Sequence, residues 1–235
     1  VTGVLCDGLG GLEEAAAMSG RIKHPIFARI YAKCAGPCLE RAGIGVHRDR
    51  LLAGLSGEVV EVGAGNGLNF TRYPGTVRHV AAVEPEPDLR ALAEQAARSA
   101  SVPVEVVEGR AEALPFPDES FDAAVACLVL CSVTDQSVAL AEISRVLRPG
   151  GTLRFFEHVR SDFAGMRGVQ RALDATIWPL AAGGCHTARD TGTAIAAAGF
   201  AVTELDCFEF PRTRIPLPIQ THILGAATRP SADRG

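Results

Sequence analysis

The segment Val59 to Gly67 reads VVEVGAGNG, a short apolar run that carries one acid, Glu61, and breaks at once into Gly63, Gly65 and Gly67. An apolar run of this kind reads as a buried parallel strand, and glycines crowded at its end let a ligand approach the backbone. The helix expected after the loop would add unpaired N–H groups beside that ligand. The spacing is G-x-G-x-G, whereas the G-x-G-x-x-G of dinucleotide sites places its third glycine one residue later. A second acid, Glu84, closes the run HVAAV and precedes Pro85. A carboxylate there can accept both hydroxyls of a ribose, as the acid about 20 residues beyond a glycine loop does in nucleotide folds. Two histidines, His158 after a later apolar run and His186 after a Gly-Gly pair, are the candidates for handling a proton near neutral pH.

These residues need a scaffold that gathers strand ends along one edge. Strands are predicted over Glu58–Val62, His79–Glu84, Val104–Glu108, Phe121–Ala126 and Thr152–Glu157. Between them, one helix runs from an Asp88 cap to about Ala100, and another from Asp135 to Leu147, stopped by Pro149-Gly150-Gly151. Beyond Val159 the pattern predicts helices over Met166–Trp178 and Thr187–Ala198 and strands over Ala201–Phe208 and Ile219–Thr228. Such alternation predicts an α/β fold with a parallel sheet covered by helices on both faces. Ligands of such sheets bind beyond the carboxyl ends of the strands, where strand order reverses. The domain spans residues 56–230. Ahead of it, residues 21–55 read as a helical lid with Ile26, Phe27, Ile30 and Tyr31 on one apolar face, interrupted at Gly36-Pro37 and Gly43–Gly45. Residues 1–20, rich in Gly, Ala and acid, predict a poorly ordered segment.

Composition narrows the function. A formal net charge of −4 gives no electrostatic case for nucleic acid, which demands a basic face. No apolar run approaches the ~20 residues a bilayer span needs, and the first residues lack the basic-then-apolar pattern of a secretory signal. Seven cysteines, an odd number without an export signal, point to reduced thiols and a cytoplasmic protein. Arginine far outnumbers lysine, a bias of GC-rich bacterial genomes. Cys34 and Cys38 sit in a C-x-x-x-C that could suggest a metal pair, but a zinc site wants four ligands in recognisable pairs, so no metal is expected.

Four segments resemble the class I S-adenosylmethionine (SAM) methyltransferases of the ubiquinone/menaquinone type: Glu58–Gly67, the strand end at Glu84, ALPFPDESFD (Ala113–Asp122) and RVLRPGG (Arg145–Gly151). A narrower resemblance, to the animal thiol S-methyltransferases of the methyltransferase-like type, is carried by GNGLNFTRYP (Gly65–Pro74), LVLCSV (Leu128–Val133), EHV (Glu157–Val159), LDATIW (Leu173–Trp178) and GC-x-x-x-R (Gly184–Arg189). The resemblance implies a Rossmann-like, seven-stranded, mostly parallel sheet with SAM as cofactor. It places Gly63, Ala64, Gly65, Gly67 and Asn69 at the methionine half, with Glu61 orienting the ammonium. Glu84 and Pro85 fall at the ribose, and Cys127 and Leu128 near the sugar and sulfonium. Where the family usually has Asp to hold the adenine amino group, this chain has Arg110. Ala111 or Glu112 would then take over that contact, or Arg110 would stack on the ring.

His158 and His186 are the candidates for a base or thiolate-stabilising group, and Phe27, Tyr31 and Trp178 for the acceptor pocket. The expected activity is methyl transfer from SAM to a small, largely apolar molecule, with a thiol the leading acceptor. The alternatives are O- or C-methylation of a phenol or quinone-like compound, arsenite methylation, and a SAM-binding protein without methyl transfer.

Overall fold

Strand β1 (Gly57–Val62) sends successive side chains to opposite faces, and both faces are apolar. Val59 packs with Val80, Phe70, Leu51, Leu52 and Phe156 on one side. Val60 and Val62 pack with Leu140, Ile143, Phe155 and Ile195 on the other. A strand buried on both faces belongs inside a parallel sheet with helices above and below, and the computed structural model of the protein, which describes residues 25–176 and 178–231, has that form.

The remaining strands are β2 (Val77–Val83), β3 (Val104–Val107), β4 (Phe121–Cys127), β5 (Leu147–His158), β6 (Ala201–Glu209) and β7 (Thr221–Thr228). They form one seven-stranded sheet in the order β3-β2-β1-β4-β5-β7-β6. β1 to β5 are parallel, while β7 runs antiparallel to both β5 and β6. Strand order reverses between β1 and β4, so their carboxyl ends border one crevice.

The N-terminal helices are α1 (Pro25–Ile30), α2 (Gly36–Arg41) and α3 (Gly45–Leu52). Gly36-Pro37 does not interrupt the helical run, contrary to the sequence expectation. The chain widens into a π turn over Tyr31–Ala35 and continues as α2, with Pro37 in the first turn, where its missing N–H costs little. The expected break at Gly43–Gly45 is present: Gly43 adopts φ +95° between α2 and α3. The expected disorder of residues 1–20 concerns a segment outside the described residues.

Helix α4 (Pro87–Ala97) is capped by Glu86, whose side chain accepts the N–H of Leu89; Asp88, the cap expected from sequence, lies inside the first turn. Asp135 caps α5 (Gln136–Val146) as expected. Three helices follow β5: α6 (Ala164–Asp174), α7 (Trp178–Ala181) and α8 (Thr191–Ala197). The expected helix start near Thr187 is displaced to Thr191, where Asp190 provides the cap, leaving residues 182–190 as a loop.

Candidate active site

The cleft at the β1/β4 reversal is lined by Gly63, Ala64, Gly65, Glu61, Asn69, Glu84, Pro85, Arg110, Ala111, Glu112, Cys127 and Leu128. Gly67 lies behind this lining and donates its N–H to the Ala64 carbonyl. The helix expected after the loop is absent. Gly63, Gly65 and Gly67 all have positive φ, so the chain turns repeatedly and forms only a 3-10 turn, Phe70–Arg72. The Gly63 and Ala64 N–H groups both go to the Val83 carbonyl. The Gly63 and Ala64 N–H groups are therefore already spent within the fold, and these positions admit a ligand by carrying little or no side chain. At Gly63 (φ +68°) an added Cβ would stand 2.2 Å from Val129 Cγ2. We expect Gly63→Ala to lose about 2–4 kcal/mol of stability from the left-handed backbone and the overpacking together. Thermal unfolding checks this, and an unchanged midpoint would refute the tight packing.

Glu84 lies just past β2 and is 5% exposed. One carboxylate oxygen accepts the N–H of Gly65 at 2.8 Å and the other that of Glu86 at 2.9 Å. Each oxygen keeps a second lone pair, which suits two adjacent ribose hydroxyls. Burial raises the pKa of Glu84, against the lowering effect of those two N–H groups.

Glu61 is held differently. Its oxygens accept from Asn69 Nδ2 at 2.8 Å and from the Tyr73 hydroxyl at 2.7 Å. Arg48, from α3, donates to Asn69 Oδ1 at 2.8 Å and also reaches Cys127 Sγ at 3.3 Å. Burial again raises the pKa of Glu61, with Tyr73, Asn69 and Arg48 acting to keep it ionised. Sequence reasoning missed Arg48. The signal was present: Ile44, Arg48, Leu51 and Leu52 share one helical face, so an arginine sits on a buried stripe. Burial pushes the Cys127 thiol up to about 11, which disfavours the thiolate that a nucleophile needs.

At the opposite end Arg110 donates to Thr134 Oγ1 at 3.1 Å and stands 3.6 Å from the Glu112 carboxylate. Glu112 accepts the Thr134 N–H at 2.6 Å. These three side chains tie the β3 exit to the β4 exit. The β4 exit is itself bent: Leu128 has φ +57°, uncommon for a non-glycine residue. Glu157, fully buried at the end of β5, over-determines that bend. Its carboxylate accepts the N–H groups of Val129 (2.9 Å), Leu130 (3.0 Å) and Cys131 (3.4 Å). Its importance was not legible in the sequence, where it was only one letter of an EHV segment.

The candidates for acceptor chemistry lie beside the cleft. His158 is buried, with Nε2 3.0 Å from Cys185 Sγ, and Trp178 Nε1 approaches the same sulfur at 3.4 Å. The His186 main-chain N–H is bonded to the Cys131 carbonyl at 2.9 Å. None of His158, His186 and Trp178 lines the cleft, whereas Ser132, Val133 and Gly183 do. Helix α6 fixes this region through Gln170 and Asp174, which share a face. Gln170 Nε2 donates to the Thr187 carbonyl at 3.0 Å, and Asp174 accepts the N–H groups of Thr187 (2.6 Å) and Ala188 (2.9 Å). The side chains of Phe27 and Tyr31 fall outside the described residues. Cys34 and Cys38 are exposed, with free thiols.

A family model described as a methyltransferase domain matches residues 60–155. Thiol S-methyltransferase TMT1B of Rattus norvegicus is 36% identical over 185 residues, covering 76% of this chain and 74% of the relative. The chain belongs to the class I SAM-dependent methyltransferases. Human thiol S-methyltransferase TMT1A is 34% identical over 183 residues, with 75% and 73% covered. The ubiquinone/menaquinone biosynthesis C-methyltransferase of Cronobacter sakazakii is 28% identical over 193 residues, with 77% and 74% covered. Among solved structures, a SAM-dependent methyltransferase of Thermotoga maritima superposes with a TM-score of 0.65 at 22% identity, over 87% of this chain and 98% of that one. The [4+2]-cyclase SpnF shares the same methyltransferase fold, with a TM-score of 0.62 at 22% identity and 80% of each chain covered. Among the described residues no helix of this methyltransferase is long and apolar enough to cross a membrane.

Proposed function

We propose that the methyltransferase acts on a small, largely apolar thiol. The observation that carries this is the 36% identity to a thiol S-methyltransferase over 74% of that relative, a span that includes more than the SAM-binding half. SAM, when bound, supplies an electrophilic methyl group on a sulfonium. We assign its ribose to Glu84, its amino-acid end to Glu61 with Asn69 and Arg48 behind it, and its base to the Arg110–Glu112 turn with Thr134. The acceptor then comes from the side of Ser132, Val133 and Gly183, which have no charged group to anchor a phosphorylated molecule. The chain must hold the acceptor sulfur about 3–3.5 Å from the methyl carbon and in line with the leaving sulfur.

A thiol with a pKa near ~8.5 already offers some thiolate at neutral pH. Transfer to sulfur therefore needs positioning more than a fixed base, which fits a cleft that neither His158 nor His186 lines. The expected result is turnover of small alkyl thiols, with phenols and catechols at least tenfold slower. The rise of kcat/KM with pH should follow the ionisation of each thiol tested. Preference for a phenol or quinone would favour the ubiquinone-type reading. Tight SAM binding without release of S-adenosylhomocysteine for any acceptor would refute methyl transfer. A pH midpoint that stays fixed across thiols and disappears in His158→Ala or His186→Ala would instead place a base on the enzyme.

A further inference from the structure

Cys131, His158 and Cys185 come from three separate segments: the β4 exit, the end of β5 and the loop after α7. Their ligand atoms, two thiol sulfurs and one imidazole nitrogen, lie within 4.8 Å of one another, and all three residues are buried. In a tetrahedral zinc site, with Zn–S near 2.3 Å and Zn–N near 2.0–2.1 Å, ligand atoms are roughly 3.5–4 Å apart. The present spacing is within a small side-chain adjustment of that. The surroundings suit ligand sulfurs: the indole N–H of Trp178 points at Cys185 Sγ (3.4 Å), and Ser132 Oγ is 3.5 Å from Cys131 Sγ. His158 Nδ1 is buried and has no hydrogen-bond partner among the described residues, so the ring can adjust without breaking a bond at that nitrogen.

We propose that Cys131, Cys185 and His158 form a binding site for one thiophilic divalent cation of the Zn2+ class. Two thiolates and a neutral imidazole around a divalent ion sum to zero charge, which is the arrangement a buried site can bear. Binding displaces two thiol protons to solvent, so affinity rises with pH. Three protein donors leave one coordination position for water or another small donor. The ion would join the β4 exit, which carries Ser132 and Val133 of the cleft wall, to the loop that carries Gly183. It would thus brace the acceptor side independently of the SAM contacts. The proposal does not depend on which acceptor is methylated.

The test is a Co2+ titration of the full chain under reducing conditions, with Cys6, Cys34, Cys38 and Cys207 replaced by serine so that remote thiols do not contribute. The expected result is one Co2+ per chain, thiolate-to-cobalt charge-transfer absorption, tetrahedral d–d bands and displacement by Zn2+. Cys185→Ser and His158→Gln should each weaken binding by about 100-fold or more, while far-UV circular dichroism and S-adenosylhomocysteine binding show that each variant is folded. Absence of the charge-transfer band in the folded parent overturns the site, whatever the variants do. Unchanged Co2+ affinity in a folded Cys185→Ser or His158→Gln variant overturns it equally.

Discussion

Replacing Glu84 with alanine is expected to weaken SAM and S-adenosylhomocysteine binding by about 100-fold or more while leaving the fold intact. The side chain is assigned two jobs through the same two oxygens. It accepts the N–H groups of Gly65 and Glu86, which fixes the glycine loop against the start of α4. In the proposed site it would also offer one lone pair on each oxygen to the ribose diol. Hydrogen bonds to a charged group contribute about 1.5–3 kcal/mol each, so losing two costs at least ~3 kcal/mol, or roughly 100-fold in affinity. Isothermal titration with S-adenosylhomocysteine reads this directly, and a loss under threefold in a folded variant would remove Glu84 from the site. Both jobs require the ionised carboxylate, and burial raises its pKa above the ordinary 4.5. Cofactor affinity should therefore fall on acidification with a midpoint above the ordinary 4.5, and Glu84→Gln should be weak at every pH.

Glu157→Ala is expected to damage the scaffold strongly, with a loss of about 3 kcal/mol and a fall in Tm on the order of 10 °C. The carboxylate is fully buried, and its removal orphans the N–H groups of Val129, Leu130 and Cys131 together. It also releases Leu128 from a backbone conformation that costs about 1–2 kcal/mol to hold. Because Leu128, Val129, Ser132 and Val133 line the cleft, cofactor affinity should fall at least tenfold alongside stability. Unaltered unfolding and binding would show that the turn holds itself. Burial raises the pKa of Glu157 despite its three N–H donors. A raised carboxylate favours the folded state most below its unfolded pKa, and that contribution fades as pH rises through the folded value. The stability gap between wild type and Glu157→Gln should therefore narrow with rising pH across that window, as denaturant unfolding at several pH values can check.

Much of this protein is written in local patterns. Short apolar runs such as Val80–Val83 and Ala123–Ala126 read as strands, because they are too short for a helix, are bounded by turn residues and fit a sheet covered on both faces. The boundaries moved where a local rule met a stronger neighbour. Glu86 took the cap from Asp88 because Glu84 fixes its N–H, and Pro37 entered α2 once a π turn had made room for its ring. The loop after β1 formed no helix, since three positive-φ glycines in five residues cannot propagate one.

The sequence by itself determined the α/β alternation, the glycine loop, the acid at Glu84 and hence the methyl donor, because each of these depends on residues within one strand-loop unit. Tertiary structure alone decided what lies around them. Arg48 reaches Asn69 across 21 residues, Glu157 holds a turn 26 to 28 residues away, and His158 meets Cys185 across 27. Such partners are joined only when the sheet brings its strand ends to one edge. No local periodicity encodes which buried polar group another will meet there.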